Sequence, residues 1–294
     1  MGITITALVT PLCDDGSVNY KRLTELIDFQ AEEGADGVVL LGTTGEAPTM
    51  TEDERGKIIS EGIKAADGRI KIIVGCGSND TKKTAEMCRR ASELGADAVL
   101  VLTPYYNKAN DEGMIRHFTE AADASDVPVI IYNVPSRTGC SVSINALRVL
   151  SRHENIIGIK EASGNVSFAA KIAPLCSDDF FMLCGCDDLI LPYMSLGARG
   201  VISVASNIIP REICGEVNAF SAGNLTLARE IHNKYINLIN SLFSEVNPIP
   251  VKEAMNYLGF DVGGYRLPLC EMSQDAKKAL VRELVSCGLA EEAL

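Results

Sequence analysis

The sequence has no tryptophan, three histidines and only 5% aromatic residues. The histidines, His117, His153 and His232, are far apart and have no ligand-like spacing. Neither a histidine metal centre nor a Ser-His-Asp triad is therefore expected, and no metal or cofactor is implied. No apolar run approaches the ~20 residues of a membrane span. Positive charge is also short: 27 Lys and Arg stand against 39 Asp and Glu, a formal charge of −12. That balance argues against nucleic acid or an anionic membrane as main partner. Ten cysteines are present, but no C-x-x-C. A chain of this length needs no disulfide staples, so the cysteines read as reduced thiols of a cytoplasmic protein. The start, Met1-Gly2-Ile3-Thr4-Ile5, lacks a basic region and meets Pro11 early, so no signal peptide is expected.

What remains is an ordinary globular balance, 47% hydrophobic and 22% charged over 294 residues. Short Val- and Ile-rich runs recur at Ile3–Val9, Gly37–Leu41, Ile70–Val74, Ala98–Leu102, Val129–Tyr132, Ile156–Ile159, Phe180–Cys184 and Gly200–Val204. Near-continuous apolar runs are the mark of strands buried on both faces. Their spacing, roughly 20 to 34 residues, is close to a βαβ unit. Amphipathic segments lie between them, including Lys21–Glu33, Thr51–Ala66 and Thr81–Leu94, with Gly34, Gly95 and Gly197 at helix ends.

An open dinucleotide-binding sheet would need G-x-G-x-x-G after its first strand. Thr10-Pro11-Leu12-Cys13 stands there instead, and the lookalike Gly75-Cys76-Gly77-Ser78-Asn79-Asp80 lacks the third glycine. The repeat count favours an α/β fold of the (β/α)8 TIM-barrel type. After Ser221 the strand signal stops, and Leu225–Phe243, Pro250–Leu258 and Gln274–Cys287 read as helices. The expected organisation is a catalytic barrel over 1–221 and a small C-terminal helical extension over 222–294.

Polar and glycine-rich clusters follow the strands, where barrels of this class carry their active face. Lys160 ends the sixth apolar run. Desolvation favours the neutral form of a lysine amine, the nucleophile that condenses with a ketone. The alternative is a lysine that caps the strand end or pairs with a carboxylate such as Asp187. Thr43-Thr44 lies between Gly42 and Gly45 and suits a carboxylate, or is simply a tight loop. Tyr132 ends the fifth run and is either a proton relay or a core residue. The Tyr105-Tyr106 pair fits a site or a subunit contact. Arg137 either forks onto a substrate carboxylate or is solvated.

Taken together and in order, these segments resemble the dihydrodipicolinate synthase family of the pyruvate-dependent class I aldolases. The likeness runs from Thr6-Ala7-Leu8-Val9-Thr10-Pro11 through Gly42–Glu46, Tyr105–Asn107, Tyr132–Gly139, Gly158–Gly164 and Gly200–Asn207 to Asn247-Pro248-Ile249-Pro250-Val251-Lys252. The resemblance implies condensation of pyruvate with aspartate-4-semialdehyde to 4-hydroxy-tetrahydrodipicolinate in lysine biosynthesis. It implies Lys160 as the Schiff-base residue, with no other cofactor. Tyr132, Thr43 and Tyr106 would form the proton relay, Tyr106 reaching across a dimer interface of a dimer of dimers. Thr44 would hold the pyruvate carboxylate and Arg137 that of the semialdehyde, with main-chain groups of Gly185 and Ile202 lining the pocket. Within that superfamily, consecutive Thr43-Thr44, and Arg137 before Thr138-Gly139, point to the synthase over the lyases; a sibling 2-keto-3-deoxy sugar acid aldolase or N-acetylneuraminate lyase is the alternative. A non-catalytic oxo-acid-binding barrel is the alternative of another class. Lysine-inhibited relatives typically carry histidine or another aromatic at Glu52, histidine at Arg55 and glutamate at Lys83. Arg55 and Lys83 would repel the ligand's ammonium groups, so feedback binding of lysine is expected to be weak or absent.

Overall fold

The computed structural model describes residues 2–291; Met1 and residues 292–294, the outer ends of the two expected segments, lie outside them. Among the described residues are eight strands: β1 (Ile3–Ala7), β2 (Gly37–Leu40), β3 (Lys71–Gly75), β4 (Ala98–Leu102), β5 (Val129–Asn133), β6 (Ile156–Glu161), β7 (Phe181–Cys184) and β8 (Gly200–Ser203). They close into a barrel in chain order. The apolar runs become strands because both faces of each are covered, as the expected (β/α)8 architecture requires. β6 continues through Lys160 to Glu161, so the lysine sits inside the strand's last rungs instead of just beyond it.

The helices are α1 (Tyr20–Glu32), α2 (Glu52–Ala66), α3 (Thr81–Glu93), α4 (Asp111–Asp123), α5 (Pro135–Thr138), α6 (Ile144–Leu150), α7 (Val166–Ile172), α8 (Ile190–Ser195) and α9 (Pro210–Ser221). Three more follow: α10 (Leu225–Ser241), α11 (Ile249–Tyr257) and α12 (Gln274–Ser286), close to the three tail helices expected. Local sequence starts them. Thr51 and Glu54 form a capping box on α2, and Asp80 and Asn110 cap α3 and α4. No described helix is long and apolar enough to cross a membrane.

The chain divides into two compact units, one of residues 1–70 with 203–294, the other of residues 71–202. In the first, β1 pairs with β2, Ile5 opposite Gly37 and Ala7 opposite Val39. Asn207 accepts from the Val9 N–H at 3.2 Å and donates to the Ala7 carbonyl at 2.8 Å, tying the start of the chain to a residue far along it. Arg266 forks onto both oxygens of Glu54 and also donates to the carbonyls of Thr49 and Gly16. The guanidinium holds the Glu54 carboxyl down at about 2.

In the second unit, β3 to β7 pair in parallel, each with its neighbour in chain order. The β5–β6 ladder is interrupted once. Val129 faces Ile156 but Ile130 faces Gly158, leaving Ile157 as an extra residue. His117 of α4 is buried, with Nδ1 3.0 Å from the Thr81 hydroxyl at the start of α3. Burial pushes its pKa down to about 4, well below the 6.5 of a free imidazole. The unfolded chain therefore binds a proton that the native protein refuses between those values. Stability should fall as pH drops from 6.5 towards 4, by on the order of 3 kcal/mol from this group. Urea melts across that range test this, and His117→Gln should flatten the dependence; an unchanged slope in the variant would assign it elsewhere.

Candidate active site

Within the second unit, Lys160 and Tyr132 are register partners on β6 and β5. Their side chains are 5% and 7% exposed. The Lys160 Nζ stands over the Tyr132 ring, 4.6 Å from its centre. Among the described residues no hydrogen bond or ion pair holds that ammonium. The tyrosine face offers it a weak electrostatic rest and no acceptor for its protons.

Gly185 follows β7 and donates its N–H to the Glu161 carbonyl at 2.8 Å. A Cβ at this position would lie 3.0 Å from Lys160 Cε and 2.6 Å from Ala162 Cβ. The absent side chain therefore clears the path of the lysine stem, a reason for glycine here that chain sequence alone did not disclose. Ile202 is fully buried in β8. Cys186, next to Gly185, has its thiol pushed up to about 12, chiefly by burial. It stays protonated and does not compete as a nucleophile.

Arg137 lies exposed on the one-turn helix α5. Pro135 starts that turn and Gly139, at φ 70°, ends it. Thr138, beside Arg137, accepts a hydrogen bond from the Thr103 hydroxyl at 2.9 Å, which anchors the turn to the segment after β4. Tyr106, on the same segment, is 84% exposed. Its φ of 72° places it in left-handed backbone, which costs a bulky residue about 1–3 kcal/mol.

In the first unit, β2 runs into Leu41-Gly42-Thr43-Thr44-Gly45-Glu46, with Leu41 and Glu46 both at positive φ, 56° and 54°. Two residues other than glycine in this conformation mean that the surroundings fix the loop. Thr10 donates its hydroxyl to the Gly45 carbonyl at 2.7 Å, and the Glu46 N–H reaches back to the Thr43 carbonyl at 3.1 Å. Thr44 is buried, and its Oγ1 accepts from Asn247 Nδ2 at 3.0 Å. That contact leaves the Thr44 O–H to donate elsewhere, the polarity a carboxylate needs. Thr43 is half-exposed at the same turn.

A second buried lysine escaped the sequence reading. Lys252 of α11 is fully buried, as is Glu46, and the two pair at 2.9 Å. The ammonium also donates to the carbonyls of Thr10, at 3.3 Å, and Gly264. Burial pushes its pKa down, and the Glu46 charge opposes that shift. Its signal was a lysine in an otherwise apolar stretch, Ile249-Pro250-Val251-Lys252, ahead of Ala254-Met255. Burial alone thus does not single out a reactive lysine. Lys252 is tied on several sides, whereas among the described residues Lys160 has only the Tyr132 ring against its ammonium. Among the described residues no cluster of His, Cys, Asp and Glu could hold a metal ion.

The model of the dihydrodipicolinate synthetase family matches residues 1–286. The 4-hydroxy-tetrahydrodipicolinate synthase of Lachnoclostridium phytofermentans is 45% identical over 284 residues, 96% of this chain and 97% of that one. The crystal structure of dihydrodipicolinate synthase from Aquifex aeolicus superposes with a TM-score of 0.96 at 41% identity, covering all of both chains. The lysine-bound enzyme of Cyanidioschyzon merolae gives a TM-score of 0.96 at 39% identity over 98% of this chain and 99% of that one. Matched by the family model over residues 1–286 and 45% identical to a relative along 96% of its length, the chain belongs to the dihydrodipicolinate synthetase family.

Proposed function

We propose that the protein condenses pyruvate with aspartate-4-semialdehyde to 4-hydroxy-tetrahydrodipicolinate, through a Schiff base at Lys160. The observation that carries this reading is a buried lysine on β6 that faces the Tyr132 ring, with no hydrogen bond or ion pair holding it among the described residues. The neutral amine attacks the pyruvate ketone and water leaves, forming an iminium. The iminium draws electrons from the methyl group, which loses a proton and becomes a nucleophilic enamine. The enamine carbon attacks the aldehyde, whose oxygen takes up a proton. The semialdehyde's amine then attacks the iminium carbon, closing the ring and releasing Lys160. No other cofactor takes part.

Tyr132 moves the protons in this scheme, with Thr43 and Tyr106 as its relay. Tyr106 acts from a neighbouring subunit, a role its exposure supports, and the functional form is a dimer of dimers. Thr44 donates its hydroxyl to the pyruvate carboxylate. Arg137 pairs with the semialdehyde's carboxylate, so local donors hold two anions in a protein of net charge −12. The main chains of Gly185 and Ile202 line the pocket. The enzyme works in the cytoplasm, in lysine biosynthesis.

The deciding experiment is an initial-rate comparison of aldehyde acceptors with pyruvate. Aspartate-4-semialdehyde should be turned over far faster than the aldehydes of sugar-acid and N-acetylneuraminate aldolases. A preference for a sugar aldehyde would move the chain to a sibling activity, and pyruvate binding without any turnover would make it a sensor. Lysine should inhibit weakly or not at all, because Arg55 and Lys83 are cationic where lysine-inhibited relatives typically carry histidine and glutamate. A lysine titration of the initial rate checks this; half-inhibition well below the millimolar range would contradict it.

A further inference from the structure

We propose that Asn133 and Glu161 act together as positioning residues that set the register of the catalytic strand pair and hold the Arg137 loop to it. The inference rests on the Schiff-base reading above.

The need for such a device comes from the extra residue in β6. Below it Val129 faces Ile156; above it Ile130 faces Gly158. The lower rungs therefore do not transmit a register to the upper ones. Lys160 meets Tyr132 two rungs above the irregularity, and the next rung is Glu161 opposite Asn133. Successive strand residues point to opposite faces, so this second pair stands behind the catalytic one.

Both side chains are fully buried. Asn133 Nδ2 donates to Glu161 Oε2 at 2.6 Å. The other Glu161 oxygen accepts the Ser163 N–H at 2.8 Å. Asn133 Oδ1 accepts from the Ser141 hydroxyl at 3.0 Å and the Val142 N–H at 3.1 Å. One buried bond thus joins four pieces of chain: the strand ends behind Tyr132 and Lys160, the turn after Lys160, and the segment just after Arg137. Burial raises the Glu161 pKa, while the Ser163 and Asn133 bonds oppose that shift. The bond is the rung's own lock, since both partners are fully buried and losing one leaves the other's polar atom unsatisfied.

Its donor–acceptor polarity gives a test. In Glu161→Gln the new amide presents a donor to the Asn133 donor. Turning the glutamine sets its NH2 against the Ser163 N–H, and turning the asparagine sets its NH2 against the Val142 N–H. In Asn133→Asp two carboxylates face each other. The exchange Asn133→Asp with Glu161→Gln satisfies every partner with the bond reversed and the total charge unchanged.

The measurements are the rate of borohydride-trapped pyruvate adduct at Lys160, kcat, and KM for aspartate-4-semialdehyde, at a temperature where circular dichroism shows each variant folded. Each single variant should trap the adduct and turn over roughly 10- to 100-fold more slowly, and should show a raised aldehyde KM. The exchanged pair should return to within about threefold of the parent. A purely structural role would lower the melting temperature and leave the kinetic values of the folded protein alone. Folded single variants with parental kinetics would overturn the proposal, as would a folded exchange variant that stays slow. If the single variants do not fold, the exchange variant decides by the same criterion. Absence of any adduct in the parent would overturn the Schiff-base reading instead, and the two failures are thereby separate.

Discussion

Lys160→Ala should abolish the borohydride-stable pyruvate adduct and lower turnover by at least ~10⁴-fold, since no other group can form the iminium that carries the reaction. Peptide mass mapping after trapping is the direct measurement. The parent should gain a pyruvate-derived mass on the peptide containing Lys160, and the variant should gain none. A mass shift on the Lys252 peptide would overturn the assignment, because Lys252 is the other buried lysine among the described residues. The same variant carries an unusual expectation for stability. Removing a buried lysine normally orphans its carboxylate partner. Lys160 has none among the described residues and rests on the Tyr132 ring at 4.6 Å. Lys160→Ala should therefore melt close to the parent protein, so that its inactivity cannot be ascribed to unfolding.

Lys252→Met should do the reverse. It leaves the Glu46 carboxylate buried without its counter-charge and the carbonyls of Thr10 and Gly264 without that donor. Breaking one side of such a pair costs about 3–5 kcal/mol. Chemical denaturation should show that loss while Lys160 in the folded fraction still traps pyruvate. Replacing both members, Glu46→Leu with Lys252→Met, should recover part of the loss but not all of it. The two carbonyls keep a desolvation penalty of about 1–3 kcal/mol each. A Lys252→Met protein with parental stability would show that the pair is neutral in the fold. Full recovery in the double variant would show that the carbonyls find other donors.

Strand runs, cap residues and terminal glycines were legible because each is a local pattern with a local cause. Thr51 with Glu54 wrote the start of α2, and Ala98–Leu102 emerged with its expected bounds. Lys160 was legible as the lone lysine ending an apolar run, and Arg137 and the Thr43-Thr44 turn by their glycine and proline neighbours. What stayed hidden depends on pairs distant in sequence. Lys252 and Glu46 each look like an ordinary charged residue until the fold removes water from both. Asn133 and Glu161 sat in plain view beside Tyr132 and Lys160. Their bond follows from a strand register that the extra Ile157 shifts, and hydrophobic periodicity does not report single-residue bulges. The role of Gly185 was equally out of reach, because it consists of a methylene from another strand occupying the space a Cβ would take.

The clamp on the threonine turn also has a history in time. Glu46 meets Lys252 across 206 residues, and Thr44 meets Asn247 across 203. A chain made from its N-terminus exposes the turn long before it makes either partner. During that interval the turn has Thr10 to hold the Gly45 carbonyl, but the Glu46 carboxylate lacks its counter-charge and Thr44 lacks its amide partner. The turn therefore matures late, once synthesis has passed Lys252, and nascent chains stopped short of that point should lack an ordered Gly42–Glu46 turn even where the strand before it has formed.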